Sequence, residues 1–449
     1  MTLDMTKGKP LKLLLSFAIP LLLGNVFQQI YNMADTFIVG RTLGVHALAG
    51  VGAAGSLMFL IMGFIQGVSS GLAVPLAQAY GAKDYPRLRR SFALNILVSL
   101  VVSVLMTIFS LTQTRNLLDL MGTPKEIYQE AFNYIHVIFA GLILFAILNG
   151  GLNCLRALGD SRMPLIFLIM TSLVNVVLDI TFILALGMGV EGAAYATLAS
   201  VFLADVMIFF YIGKKVKILL PKKEDWRIRQ KELSRHLTIG LPIGFQSSII
   251  AIGAIILQTA LNGLGADVVA AYTTVSKIEQ LGIQILMSFG MTMATYIGQN
   301  YGAKKYERMW AGVTTGVKIS LVMSWLMGGF FYLLADRLVG LFITGEHPHI
   351  LALGRQYFHV TVFFYSFLAL LFIYRYTIQG LGHSLVPTFA GILELCTRTF
   401  SAWVLIPRFG FLGGILAAPL SWIMALLPVS ITYYYSRRHL RSKEKHKSR

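Results

Sequence analysis

The chain has 449 residues, of which 56% are hydrophobic and only 13% charged, with a mean hydropathy of +0.70. A soluble domain carries about 25% charged residues, so this composition excludes the soluble classes. The formal charge of +18 would suit nucleic acid, but Lys and Arg gather beside alternate apolar segments and form no continuous basic face with aromatic or helical readers, which excludes that partner as well.

Apolar runs near twenty residues, long enough for a ~30 Å hydrocarbon core, recur along the whole sequence and predict twelve membrane-spanning helices. In chain order the expected spans are Leu13 to Val39, Ala47 to Gln78, Ser91 to Leu111, Ala131 to Asn153, Pro164 to Leu186 and Gly192 to Ile212. The second six are His236 to Leu261, Val268 to Ile297, Gly312 to Leu334, Tyr357 to Thr377, Pro387 to Leu405 and Gly413 to Tyr435. The N-terminal run after Lys7, Lys9 and Lys12 resembles a signal peptide. It has no small-x-small site before Gln28 and leads straight into more apolar sequence, so it is read as the first span.

With the N-terminus inside, 28 of the 38 basic residues fall on inner segments, nine of them between Lys214 and Arg235. The outer loops hold only Arg41, Arg115, Lys125, Arg337, Arg355 and Arg408. The positive-inside rule therefore places both termini in the cytoplasm of a multi-pass cell-membrane protein. The expected organisation is a first half over 1–213, a basic linker over 214–235, a second half over 236–436 and a basic tail over 437–449. Cys154 and Cys396 both lie in apolar segments without a CxxC partner or nearby His, so neither a metal site nor a disulfide framework is implied.

An internal repeat decides the architecture. Gln78-Ala79-Tyr80-Gly81-Ala82-Lys83-Asp84-Tyr85 is answered 221 positions later by Gln299-Asn300-Tyr301-Gly302-Ala303-Lys304-Lys305-Tyr306. Ile19-Pro20 is answered by Leu241-Pro242, the Ala157–Ser161 stretch with Pro164 by the Gly380–Ser384 stretch with Pro387, and Gly189-Val190-Glu191-Gly192 by Gly410-Phe411-Leu412-Gly413. Six spans per repeat is an even number, so both halves insert with the same orientation, as in transporters built from parallel repeats. Pro20, Pro75, Pro242 and Pro419 lie inside apolar spans, where each frees a backbone carbonyl and permits a kink.

Ionisable side chains inside the membrane cost on the order of 3 kcal/mol each and mark function by default. In the first span Gln28, Asn32 and Asp35 follow i, i+4, i+7 and share a helix face; the fifth carries Asn175 and Asp179, again on one face; the sixth adds Thr197 after the small residues Gly192, Ala193 and Ala194. Two carboxylates with amide and hydroxyl neighbours form a plausible site for H⁺ or Na⁺, because two such groups in low dielectric cannot both stay ionised cheaply. The bland alternative is helix glue. Asp205 also lies deep in the sixth span without such neighbours. In the second half the charges look paired locally: Glu394 with Arg398 at i, i+4, Lys277 beside Glu279, and Arg375 in the tenth span. These form either a structural ion-pair network or a charged lining. Tyr31, Phe59, Phe64, Tyr134, Phe139, Phe145 and Tyr272, with many Met, could line a permissive cavity, although packing is the simpler reading of each.

The string from Pro20 to Thr36 in the first span, the duplicated Gln-x-Tyr-Gly-Ala-Lys, and Gly189-Val190-Glu191-Gly192-Ala193-Ala194-Tyr195-Ala196-Thr197 together resemble the MATE (multidrug and toxic compound extrusion) family, on the DinF/MepA-like bacterial side. The resemblance spans about residues 10 to 435. It implies an all-α fold of twelve membrane helices in two six-helix lobes forming a V, and a secondary antiporter, not an enzyme. Such a protein exports organic cations and drugs in exchange for H⁺ or Na⁺ by alternating access, as a monomer with no cofactor beyond that ion. It also implies an ion-coupling set matching Gln28, Asp35, Asn175, Asp179 and Thr197, of which Asp35, Asn175, Asp179 and Thr197 would hold the metal if the ion is Na⁺. Substrate-cleft candidates are Tyr31, Asn32, Asp205, Glu279, Arg375, Glu394 and Arg398. In the NorM-like branch a Glu in the seventh helix and an Asp in the tenth serve the second lobe. This chain has no acid in its seventh span and carries Arg375 in its tenth, which puts such a site in doubt. The alternative within transport is a flippase for a lipid-linked or polyprenyl substrate, disfavoured by the acids and the span count.

Overall fold

The computed structural model describes residues 3–342 and 347–447; Ser448 and Arg449, the end of the basic tail, lie outside the described residues. Runs of Leu, Ile, Val and Ala satisfy their backbone polar groups internally as helix, the form a lipid environment demands. Among the described residues the fold is all-helical. The helices are α1 (Pro10–Leu43), α2 (Val45–Gly81), α3 (Tyr85–Leu120), α4 (Lys125–Ala140), α5 (Leu142–Ala157), α6 (Arg162–Asp179) and α7 (Val190–Lys215). After the linker come α8 (Gln230–Asn262), α9 (Ala266–Gly302), α10 (Tyr306–Gly340), α11 (Pro348–Thr361), α12 (Tyr365–Leu381), α13 (Leu385–Phe400), the short α14 (Ile406–Phe409) and α15 (Phe411–Lys447). Among the described residues eleven stretches are long and apolar enough to cross a membrane, and α4 with α5, bent by 53°, makes a twelfth when taken as one span.

The sequence predicts one span here, Ala131 to Asn153, and shows no bend. The bend falls at Gly141, and a Cβ there would lie 2.1 Å from Leu198 Cδ2 on α7, so close approach of α7 fixes the break at a glycine. The helices also overrun the apolar stretches at both ends. Asp84 explains one such end: its side chain accepts Arg87 N–H at 3.1 Å, capping α3 beyond the apolar run.

The repeat is written in the backbone as well. Among the described residues Lys83 (φ 57°) and Lys304 (φ 58°) are the two non-glycine residues with left-handed backbone, 221 positions apart, each closing the helix that carries the duplicated motif. The strained position is thus the lysine of the motif and not its glycine, since Gly81 and Gly302 still belong to α2 and α9. π-helical segments follow α6 at Ile180–Ala185 and α13 at Ser401–Leu405, again in register.

The chain forms two compact units. Unit 1 comprises Ile19–Ser248 with the segment ending at Asp4; unit 2 comprises Met5–Ala18 with the chain from Ile249 onward. The first helix of each repeat therefore changes unit along its length: α1 between Ala18 and Ile19, just before Pro20, and α8 between Ser248 and Ile249. Within unit 1, α2 and the early part of α8 meet through glycines. A Cβ on Gly71 would come within 2.7 Å of Gly240 Cα, and one on Gly67 within 2.6 Å of the Ile243 carbonyl. Small residues allow such backbone approach, which drives association in lipid through van der Waals contact. In unit 2, Phe17, Tyr296, Trp310, Tyr357, Phe358 and Tyr365 are among the largest fully buried side chains of the core.

Candidate functional site

The polar residues singled out on α1, α6 and α7 meet in unit 1. Asp179, the last residue of α6 before its π segment, and Asn175 one turn earlier are fully buried; Asp35 of α1 is 7% exposed and Thr197 of α7 is 5% exposed. A π segment widens the helix by one residue per turn and commonly marks a functional position. The carboxyls of Asp35 and Asp179, 144 residues apart in sequence, lie side by side. The Asn175 amide, oriented to satisfy both of its ends, donates from Nδ2 to Asp179 Oδ2 at 2.9 Å and accepts Thr197 N–H on Oδ1 at 3.2 Å. Tyr31 OH lies 3.4 Å from Thr197 Oγ1, which itself donates to the Ala193 carbonyl at 3.1 Å. Buried Tyr134 of α4 lies within electrostatic range of Asp35, Tyr31 and Asp179.

Two features set the chemistry of this group. No Lys or Arg bonds to it among the described residues, so its two acids have no built-in counter-charge. One oxygen of each, Asp35 Oδ1 and Asp179 Oδ1, is buried without a hydrogen-bond partner. Two facing carboxyls with unfilled oxygens can share a proton or hold a monovalent cation. Buried together with neither, they would carry an uncompensated double charge at high cost. The surrounding donor set of carboxylate, amide, hydroxyl and phenol oxygens is the hard-oxygen kind that suits H⁺ or Na⁺. Groups of three or more His, Cys, Asp or Glu able to hold a metal are absent among the described residues.

Not every expected residue joins. Gln28 and Asn32 share the sequence spacing of Asp35 but are exposed, and neither bonds into the group. Asp205 is 3% exposed and both of its carboxylate oxygens lack a partner, yet it stands apart from the Asp35–Asp179 pair.

In unit 2 the structure corrects the expected pairing. Glu394 bonds to Arg375 of α12 in a buried ion pair, not to Arg398 one turn along its own helix. Arg398 turns toward α8, where Nη1 reaches the Ile250 carbonyl at 3.5 Å, and the missing side chain of Gly253 leaves room for its stem, 3.2 Å away. Glu279 does not pair with Lys277, which is exposed. It accepts Tyr357 OH at 2.7 Å on one oxygen and Tyr365 OH at 2.9 Å on the other, all three residues being buried. These tyrosines went unnoticed in the sequence, where nothing distinguishes them from other aromatics of apolar spans.

Comparison with known proteins agrees with this architecture. A model of the MatE family matches twice, over residues 20–181 and 242–404, one match in each repeat. The probable multidrug resistance protein YpnP of Bacillus subtilis (strain 168) is 26% identical over 97% of both chains. The multidrug export protein MepA of Staphylococcus aureus (strain NCTC 8325 / PS 47) is 21% identical over 97% of this chain and 96% of its own. The fold also matches the outward-facing structure of a multidrug resistance MATE family transporter of the MOP superfamily, with a TM-score of 0.88 and 23% identity over 98% of each chain. A family match that runs through both repeats and covers most of the sequence makes this chain a member of the MatE family.

Proposed function

We propose that this protein is a secondary active antiporter that exports organic cations and drugs in exchange for H⁺ or Na⁺ by alternating access, with Asp35 and Asp179 as the coupling pair. The observation that carries the reading is the buried contact of these two carboxyls, with an unpartnered oxygen on each and no basic residue bonded to them. Asn175 donates to Asp179 and is itself held by Thr197 N–H, and Tyr31 lies against Thr197. An ion entering between the carboxyls removes their repulsion and draws α1 toward α6. Loss of the ion lets α1 move away. Repositioning of α1, which carries Asp35 and Tyr31, is the step that changes the substrate site. The names of the relatives YpnP and MepA support drugs as the substrate class.

The test is transport by the purified protein in proteoliposomes under separately imposed H⁺ and Na⁺ gradients, with ethidium as substrate. One gradient drives efflux in the wild type, and Asp35→Asn abolishes driven efflux while the protein still folds. An Asp35→Asn variant that exports ethidium at the wild-type rate refutes the assignment.

A further inference from the structure

The duplicated motif plays no part in the coupling pair, yet its two copies do parallel work. In unit 2 the second copy surrounds the N-terminal segment. Met5 N–H donates to Gln299 Oε1 at 3.0 Å, and the Met5 carbonyl accepts Asn300 Nδ2 at 3.1 Å and Arg308 Nε and Nη2 at 3.3 Å each. Lys305 Nζ donates to the Thr6 carbonyl at 2.8 Å. Met5 is fully buried and Thr6 is 6% exposed. In unit 1 the first copy and the start of α3 grip the linker and the first turns of α8: Arg89 bonds Asp225 of the linker at 2.8 Å, while Gln78 accepts from Arg235 and Arg90 forks onto Glu232 at 3.1 Å, both in α8. This stretch is strongly basic, but two of its acids make these contacts.

We propose that the repeated Gln-x-Tyr-Gly-Ala-Lys-x-Tyr element is a reciprocal anchor, each copy with the start of the helix after it gripping the entry to the first helix of the other repeat, and that Gln299, Asn300, Lys305 and Arg308 are positioning residues for α1. These contacts go to main-chain atoms of Met5 and Thr6, so they fix the path of the chain there. From there α1 runs through unit 2 to Ala18, with Leu14 and Phe17 each 1% exposed, and enters unit 1 next to Pro20. Beyond that proline, where the helix lacks one backbone hydrogen bond, lies Asp35. A helix held at its start and free to bend at Pro20 passes a displacement of Asp35 on as bending. Released at its start, the same helix absorbs the displacement by shifting along its length. This role for the socket rests on the assignment of Asp35 as the coupling acid; the docking of Met5 and Thr6 does not.

Two measurements on the full protein test the anchor. In the first, Thr6→Cys is placed in a Cys396→Ser background and labelled in detergent with a maleimide. Labelling is slow with the intact socket and about tenfold faster when Asn300→Ala and Arg308→Gln are added, from the loss of charge-assisted hydrogen bonds. In the second, deletion of residues 2–6, which alters no membrane helix, and the Asn300→Ala/Arg308→Gln pair are compared in proteoliposomes. Each lowers gradient-driven efflux by about tenfold, the combination lowers it no further, and gradient-free substrate exchange stays within about twofold of wild type. An unchanged labelling rate, wild-type driven efflux after the deletion, additive losses, or parallel loss of exchange overturns the proposal. Asp35→Asn run alongside separates the two readings, because its full activity would refute the coupling assignment while the labelling rates still report on the socket.

Discussion

Asn175→Leu isolates what the carboxamide contributes to the carboxyl pair. Leucine fills nearly the same volume, so packing is preserved while both polar ends vanish. The wild-type amide donates to Asp179 Oδ2 at 2.9 Å and accepts Thr197 N–H at 3.2 Å, and Asn175 and Asp179 are both fully buried, so water does not replace what is lost. Thr197 N–H keeps its helical acceptor, which leaves the bond to Asp179 as the main loss. A hydrogen bond to a charged group is worth about 1.5–3 kcal/mol. At about 1.4 kcal/mol per decade, the coupling ion's half-saturating concentration shifts by one to two decades. Loss of the donor makes the Asp179 carboxylate a stronger partner for a cation, so half-saturation moves to a lower concentration of whichever ion, H⁺ or Na⁺, couples. The assay is driven ethidium efflux in proteoliposomes against ion concentration, with equilibrium ethidium binding measured in parallel and expected to be unchanged. Half-saturation that stays within about twofold of wild type, for either ion, refutes the reasoning that Asn175 acts on the site through Asp179.

Two further substitutions test the frame around the sites. Gly312→Ala places a Cβ 2.0 Å from Cε1 of Tyr296, a fully buried ring whose hydroxyl is tied to the Arg308 carbonyl at 2.9 Å, so the ring has no easy retreat. Overpacking of this kind costs about 1–3 kcal/mol, to be read as a lower melting temperature of the purified protein; an unshifted melting curve would show that the ring yields. Arg375→Ala strands Glu394 in a buried position and should destabilise unit 2 by about 3–5 kcal/mol, while the double change Arg375→Met/Glu394→Leu recovers most of that loss. Equal melting of the single and double variants would refute the buried ion pair.

The sequence by itself determined the number of spans, the repeat and the residues of interest, and the physical reasons are local. A span needs about twenty apolar residues, and an acid inside one stands out against its neighbours, as Asp35, Asp179 and Asp205 do. Helical periodicity also put Asn175 and Asp179 on one face, where they bond. Periodicity permitted Glu394 and Arg398 to pair in the same way, but tertiary packing gave Glu394 to Arg375 and sent Arg398 to α8. Spacing along one helix states which side chains share a face. The rotation of that helix against its neighbours decides which of them meet a partner. Only the folded chain could therefore bring Asp35 to Asp179, set Glu279 between Tyr357 and Tyr365, bend the fourth span where Leu198 crowds Gly141, and leave Gln28 and Asn32 exposed two turns and one turn from a buried acid. The motif tells the same story at longer range. Its duplication is legible in the sequence, but its role as a socket depends on main-chain atoms of Met5 and Thr6, which carry no residue-type signal at all.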